Sequence, residues 1–169
     1  MKKISKLFFA MILVLSVCLI TGCGKQERIT EENVSTSEEE KPVTVASSLV
    51  EQFKTEIKDN KNLEEVANKL AENEKLSIMT MVEVLDKKSD IFGFNTTIKN
   101  FKTGVAIKAS ISTIPFVAYI FEVENPEEFQ TTLKENANLR WNICTEADDM
   151  ESAIYENYVF FVMSRSSFE

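Results

Sequence analysis

The chain contains no histidine. That removes His-ligated metal sites and every Ser-His or Cys-His catalytic arrangement. Glycine and proline are scarce, 4 and 3 in 169 residues, which excludes collagen-like and Gly/Pro-rich low-complexity chains. Three cysteines cannot build a disulfide scaffold. Bases are outnumbered by acids, 19 to 27, for a formal net charge of −8. Nucleic acid is therefore not an expected partner, because phosphate binding needs clustered Lys and Arg. No Gly-rich phosphate loop, CxxC pair or Ser-x-x-Lys motif occurs. This length predicts one domain.

What is present begins at the N-terminus. Lys2, Lys3 and Lys6 precede an uncharged apolar run of 14 residues, 7–20. The run is short for a membrane span, which needs about 20 apolar residues, and has the layout of a secretory signal. Ile20-Thr21-Gly22-Cys23 follows directly. Aliphatic Ile20 at the third place before a cysteine, with small Gly22 next to it, resembles the lipobox of bacterial lipoproteins. The resemblance covers residues 1–24. It implies a diacylglyceryl group on the Cys23 thiol and cleavage after Gly22, so that Cys23 becomes the first residue of the mature chain. Cys18 is then discarded. The implied location is the extracytoplasmic face of a cell membrane, with the lipid on Cys23 as the membrane contact. Each buried CH₂ contributes about 0.8 kcal/mol, and one acyl chain holds only marginally. Two or three chains on one cysteine make attachment durable.

Residues 24–45 hold six Glu, three Lys or Arg and no aromatic residue, a composition that predicts a disordered tether. Such a segment spans on the order of 25 Å root-mean-square. The Debye length is about 8 Å at physiological salt, so an acidic domain on this tether stands clear of an anionic lipid surface. Loss of residues 1–22 leaves 16 bases against 27 acids, a net of −11. The acidity thus belongs to the exported part.

Residues 46–169 carry ten of the twelve Phe, the single Trp and all three Tyr. They are enough for one core without disulfides or metal. Val50, Phe53 and Ile57 predict a helix over 47–58, capped by Ser47 or Ser48. A second helix is expected over 62–73, with Asn60 or Asn62 as cap and Glu64 and Glu65 in its first turn. Residues 76–85 fit both periods and are read as a strand. Residues 86–103 read as loop with one helical turn near Thr96–Phe101. Residues 104–124 alternate as two strands broken near Pro115. Asn125-Pro126-Glu127-Glu128 is a helix start, running to about Leu139. Residues 140–145 suit a short strand. Residues 152–155 and 158–164 flank Glu156-Asn157 as a hairpin, with Asn tolerating positive φ. The last strand is apolar on both faces and so belongs in the interior of a sheet. The fold class is α+β, a mostly antiparallel sheet with helices packed on one face.

Candidate binding residues are few. Glu146, Asp148, Asp149 and Glu151 place four carboxylates within six residues. Their spacing lacks the alternation, central Gly and distal Glu of an EF-hand, so the segment reads as a solvated turn and no metal is expected. Paired acids are also the machinery of glycosidases, where separation in space is decisive. Arg140-Trp141 joins two residue types enriched at binding hot spots. Cys144 has no histidine to activate it, and its apolar neighbour Ile143 favours a buried thiol. Met79, Met81 and Met163 lie in apolar stretches and are assigned to the core. No cofactor is expected. The sequence therefore predicts a membrane-anchored, non-catalytic binding or accessory domain of the cell envelope, with an unidentified envelope protein or ligand as partner. The alternatives are a carboxylate-based envelope hydrolase and a sensor lipoprotein for a small ligand or metal.

Overall fold

A computed structural model describes residues 42–142 and 144–168. The expected signal segment with Gly22, the expected lipidation site Cys23 and the expected tether up to residue 41 lie outside the described residues. The first helix, α1, spans Val45–Asp59. It starts two residues before the expected position because Thr44, not Ser47 or Ser48, is its cap. The Thr44 Oγ1 accepts from the Ser47 N–H at 3.1 Å, and the Ser47 hydroxyl accepts from the Thr44 N–H at 2.9 Å. This reciprocal pair satisfies two N–H groups that a helix start otherwise leaves open. Val45, which composition assigns to the tether, is buried in the first turn. Helix α2 spans Leu63–Ala71 and is capped by Asn62, whose Oδ1 accepts from the Glu64 and Glu65 N–H groups.

The strands are β1 (Thr80–Leu85), β2 (Phe101–Ala109), β3 (Val117–Val123), β4 (Asp149–Tyr155) and β5 (Tyr158–Ser164). Helix α3, Pro126–Asn136, connects β3 to β4. All five strands pair antiparallel in the order β1-β2-β3-β5-β4, so the fold is α+β. Residues 104–124, apolar enough to resemble a membrane span, form most of β2, a turn and β3. Among the described residues no helix is long and apolar enough to cross a membrane.

Strand β5 is buried along its whole length, as an interior strand must be. Its two faces need two covers. Phe160 and Val162 face α1 and α2, and Phe160 stacks on Phe53 with ring centroids 5.0 Å apart. Val159, Phe161 and Met163 face the other way, into a second core with Phe129 and Leu133 of α3. Helix α3 therefore lies across the sheet from α1 and α2, and the helices do not all share one face. The rest of the second cover comes from residues 86–100, where Ile91, Phe94 and Ile98 pack against Tyr119 and Phe161. This segment has no helical turn, and β2 already begins at Phe101.

Three more local expectations differ. None of the described residues of 140–145 is in a strand. In the β4–β5 hairpin Glu156, not Asn157, takes the positive φ, +52°. The Lys61 ammonium reaches its carboxylate at 3.1 Å and lies 4.4 Å from the Tyr155 ring centroid. The Asn125 side chain makes no capping bond, and Pro126 sets the start of α3 instead.

One end of the sheet matters below. There β1 starts, β2 ends, β3 starts and β5 ends, and the chain enters α1: the Val45 N–H donates to the Ser166 carbonyl at 3.1 Å. It is called the upper end. The hairpin at Glu156 and the start of α3 lie at the lower end.

Candidate functional site

Loops normally carry polar residues and are variable in shape. At the upper end one turn is instead free of charge, and it is tied to its neighbour. The β2–β3 turn, residues 110–116, contains no charged residue. The Ile114 N–H donates to Ile111 O at 3.0 Å and the Phe116 N–H to Ile114 O at 2.9 Å. The 138–147 loop is stapled to this turn. The Asn142 amide donates to the Ser112 carbonyl and the Thr145 hydroxyl to the Thr113 carbonyl, each at 2.6 Å. At its start the Asn138 N–H donates to Gly93 O at 2.9 Å, and Asn138 Oδ1 accepts from the Arg140 N–H. Gly93 sits at φ +88°, a conformation glycine adopts freely.

These ties set Trp141 on the rim of a cleft of about 580 Å³. Met81, Phe92, Ile114 and Phe116 supply the other apolar walls. The size falls within the range of about 300–1,000 Å³ common to ligand sites. Lys108 is the one charged residue in the lining. Its ammonium is paired with Glu83 and lies 5.2 Å from the Phe92 ring centroid, so the charge is already neutralised. Behind the wall the Tyr119 hydroxyl donates to Phe92 O at 2.9 Å. Burial first, and then the Asp90 and Glu83 carboxylates, push the phenol far above its ordinary pKa. Tyr119 therefore stays protonated and positions the Phe92 segment.

The residues singled out from sequence are not gathered into one site. Trp141 is half-buried and lines the cleft. Its neighbour Arg140 points to solvent with a side chain 81 % exposed, and its Nε lies 2.6 Å from Glu146. Asp148 accepts from both the hydroxyl and the N–H of Ser166. The Ser166 hydroxyl is the main cause that holds the Asp148 carboxyl below its usual range. Asp149 opens β4, half-buried, with an Oδ2 that makes no hydrogen bond. Glu151 is exposed on the same edge strand. None of the four carboxylates lines the cleft. Among the described residues no group of three or more acids or cysteines is arranged to hold a metal ion.

Two expectations are overturned here. Cys144 is exposed, because it sits on the loop rim rather than in a strand. Met79 and Met81 are 71 % and 50 % exposed, because β1 is an edge strand and Met79 precedes it; only Met163 is in the core. Among the cleft residues the sequence marks Trp141 for binding and reads Met81 and Cys144 as buried; Phe92, Lys108, Ile114 and Phe116 carry no signal. Met81, Phe92, Lys108, Ile114 and Phe116 come from β1, the 86–100 loop, β2 and the following turn, and only the sheet register brings them together.

A second cavity, about 410 Å³, opens at the lower end between Lys87, Lys99, Lys102 and the start of α3. Glu124 and Glu128 share its walls, and Lys102 lies 3.8 Å from Glu122, so cations and acids offset one another. No protein-family model, no curated protein and no solved structure matches the chain.

Proposed function

We propose that the chain is a lipoprotein of the extracytoplasmic membrane face, anchored through a lipid on Cys23. Its domain acts as a non-catalytic binding module of the cell envelope. The observation that carries the binding reading is the cleft at the upper end. It is concave and mostly apolar, it holds the only Trp of the chain, and its single charge is neutralised from within. Apolar concavity with a half-buried aromatic at the rim is the usual make-up of a binding hot spot. The anchor reading is supported by the basic start, the apolar run and the Ile20–Cys23 lipobox.

Two experiments test the two halves. Fatty-acid labelling of wild type and Cys23→Ala should mark the first and not the second. Equal labelling of both removes the anchor. A photo-crosslinking residue at position 81, in cells, should form an adduct on the native membrane that Trp141→Ala weakens. An adduct unaffected by Trp141→Ala, or none at all, removes the cleft as the binding surface.

A further inference from the structure

Large apolar side chains are exposed at only five places among the described residues: Val43, Met79, Met81, Val84 and Ile111. All but Val84 gather at the upper end. Three charge-free stretches of sequence, 76–82, 109–121 and 141–145, come together there. Of the charges nearby, Lys108 pairs with Glu83, Arg140 with Glu146, and Asp148 accepts from Ser166, while Glu72, Glu74 and Lys75 stand exposed before the 76–82 stretch. The chain from Cys23 enters the domain at this same end, through exposed Val43 and the Val45 to Ser166 hydrogen bond.

We infer that the upper end docks on the surface of the bilayer to which Cys23 is attached. Met79, Met81 and Ile111 reach into the boundary between headgroups and acyl chains, and Trp141 lies at headgroup level. The inference rests on the anchor reading and names the envelope component that the binding end meets. Trp suits this level, since one side of the ring system is apolar and its N–H can stay wet. The acids of the lower end, Glu124 and Glu128 among them, do not oppose docking. Strand β3 has 7 residues. At about 3.3 Å each it keeps those acids roughly 20 Å away, beyond a Debye length of about 8 Å. Tethering also lets a weak contact suffice, because a flexible linker holds the domain at an effective concentration of order mM. Docking and the long tether are compatible: the tether gives reach, and the exposed apolar side chains give the preferred orientation.

Trp141 is the only tryptophan, so its emission reports on this end directly. The lipidated full-length mature chain is reconstituted into phosphatidylglycerol–phosphatidylcholine vesicles, with and without bromine at shallow acyl positions. The expected result is flotation with the vesicles, a blue shift of Trp141 and loss of its emission to the brominated lipid. M79E/M81E/I111E should float equally and lose the quenching, while Val84→Glu keeps it. All four positions are exposed, and circular dichroism confirms the fold of each variant. Flotation of wild type without quenching overturns docking and leaves the anchor intact. Quenching that survives the triple variant overturns the contact surface. Wild type that fails to float, like Cys23→Ala, overturns the anchor and docking together. An unquenched Trp141 with a protein crosslinked at position 111 assigns the end to a protein or a second copy and overturns the lipid.

Discussion

Gly93 joins the backbone of the fold to the wall of the cleft, and replacing it by alanine tests both. Its φ is +88°. A left-handed L-residue costs about 1–2 kcal/mol. A Cβ there would stand 2.5 Å from Met163 Cε and 3.9 Å from Trp141 Cδ2. The methionine end is flexible but fully buried, so it must leave its rotamer at a cost of about 0.5–1.5 kcal/mol. Together Gly93→Ala should lose about 1.5–3.5 kcal/mol. With a urea slope of about 2 kcal/mol/M, the midpoint falls by roughly 0.8–1.8 M at constant slope. Gly93→Asn keeps the collision but adopts positive φ more easily, so it should fall between the two. The Gly93 carbonyl holds the Asn138 N–H, and Trp141 follows three residues on. The emission maximum of Trp141 should therefore shift in both variants before unfolding. A loss below about 0.5 kcal/mol at unchanged slope, with unaltered emission, refutes the steric argument.

Phe160→Ala, at the stacked pair with Phe53, should lose about 3–5 kcal/mol in the same denaturation assay. The Asp148 carboxyl titrates below its usual range in the fold, so its contribution is complete above the unfolded pKa near 3.9 and is lost as pH falls through the folded value. The thermal midpoint should thus drop below about pH 4, and Ser166→Ala, which removes the largest cause, should flatten that drop. Cys144 is exposed, so a thiol reagent added to the folded mature chain should titrate it without denaturant. A thiol that reacts only in urea contradicts the placement of the loop.

Much of the fold could be read before the sheet was seen, for physical reasons specific to each element. Val50, Phe53 and Ile57 mark a buried helix stripe because only period 3.6 aligns them. Asn125-Pro126 marks a start because Pro cannot follow a helical turn but suits the first position. Alternation in 117–123 and apolarity on both sides of 158–164 identify the middle of a sheet. Other features depend on partners. A stripe says which side of α3 is apolar, and not which face of the sheet it meets; that follows from Phe161 and Met163 needing cover after α1 and α2 take Phe160 and Val162. Nothing local separates an edge strand from an interior one in 80–85, so Met81 looked like core. Of the cleft, the sequence marks Trp141 for binding but not Met81, Phe92, Lys108, Ile114 or Phe116, which lie 25 to 60 residues away in the chain. The acids of 146–151 looked like a cluster because they are close in sequence. In space Glu146 turns to Arg140 and Asp148 to Ser166.

The apolar surface at the upper end is not demanded by the fold. The 110–116 turn is closed by its own backbone bonds, and the Asn142 and Thr145 side chains take the Ser112 and Thr113 carbonyls. Ile111 contributes only its backbone carbonyl to this arrangement, and its side chain is 51 % exposed. A charged residue there would be solvated at no cost to the core. Ile111→Glu should therefore change stability by no more than about 0.5 kcal/mol. It should reduce Trp141 quenching by brominated lipid all the same. Measured together, the two readouts separate a residue kept for folding from one kept for contact. A stability loss above about 1 kcal/mol would place Ile111 in the packing of the turn, and its exposure would then carry no argument for docking.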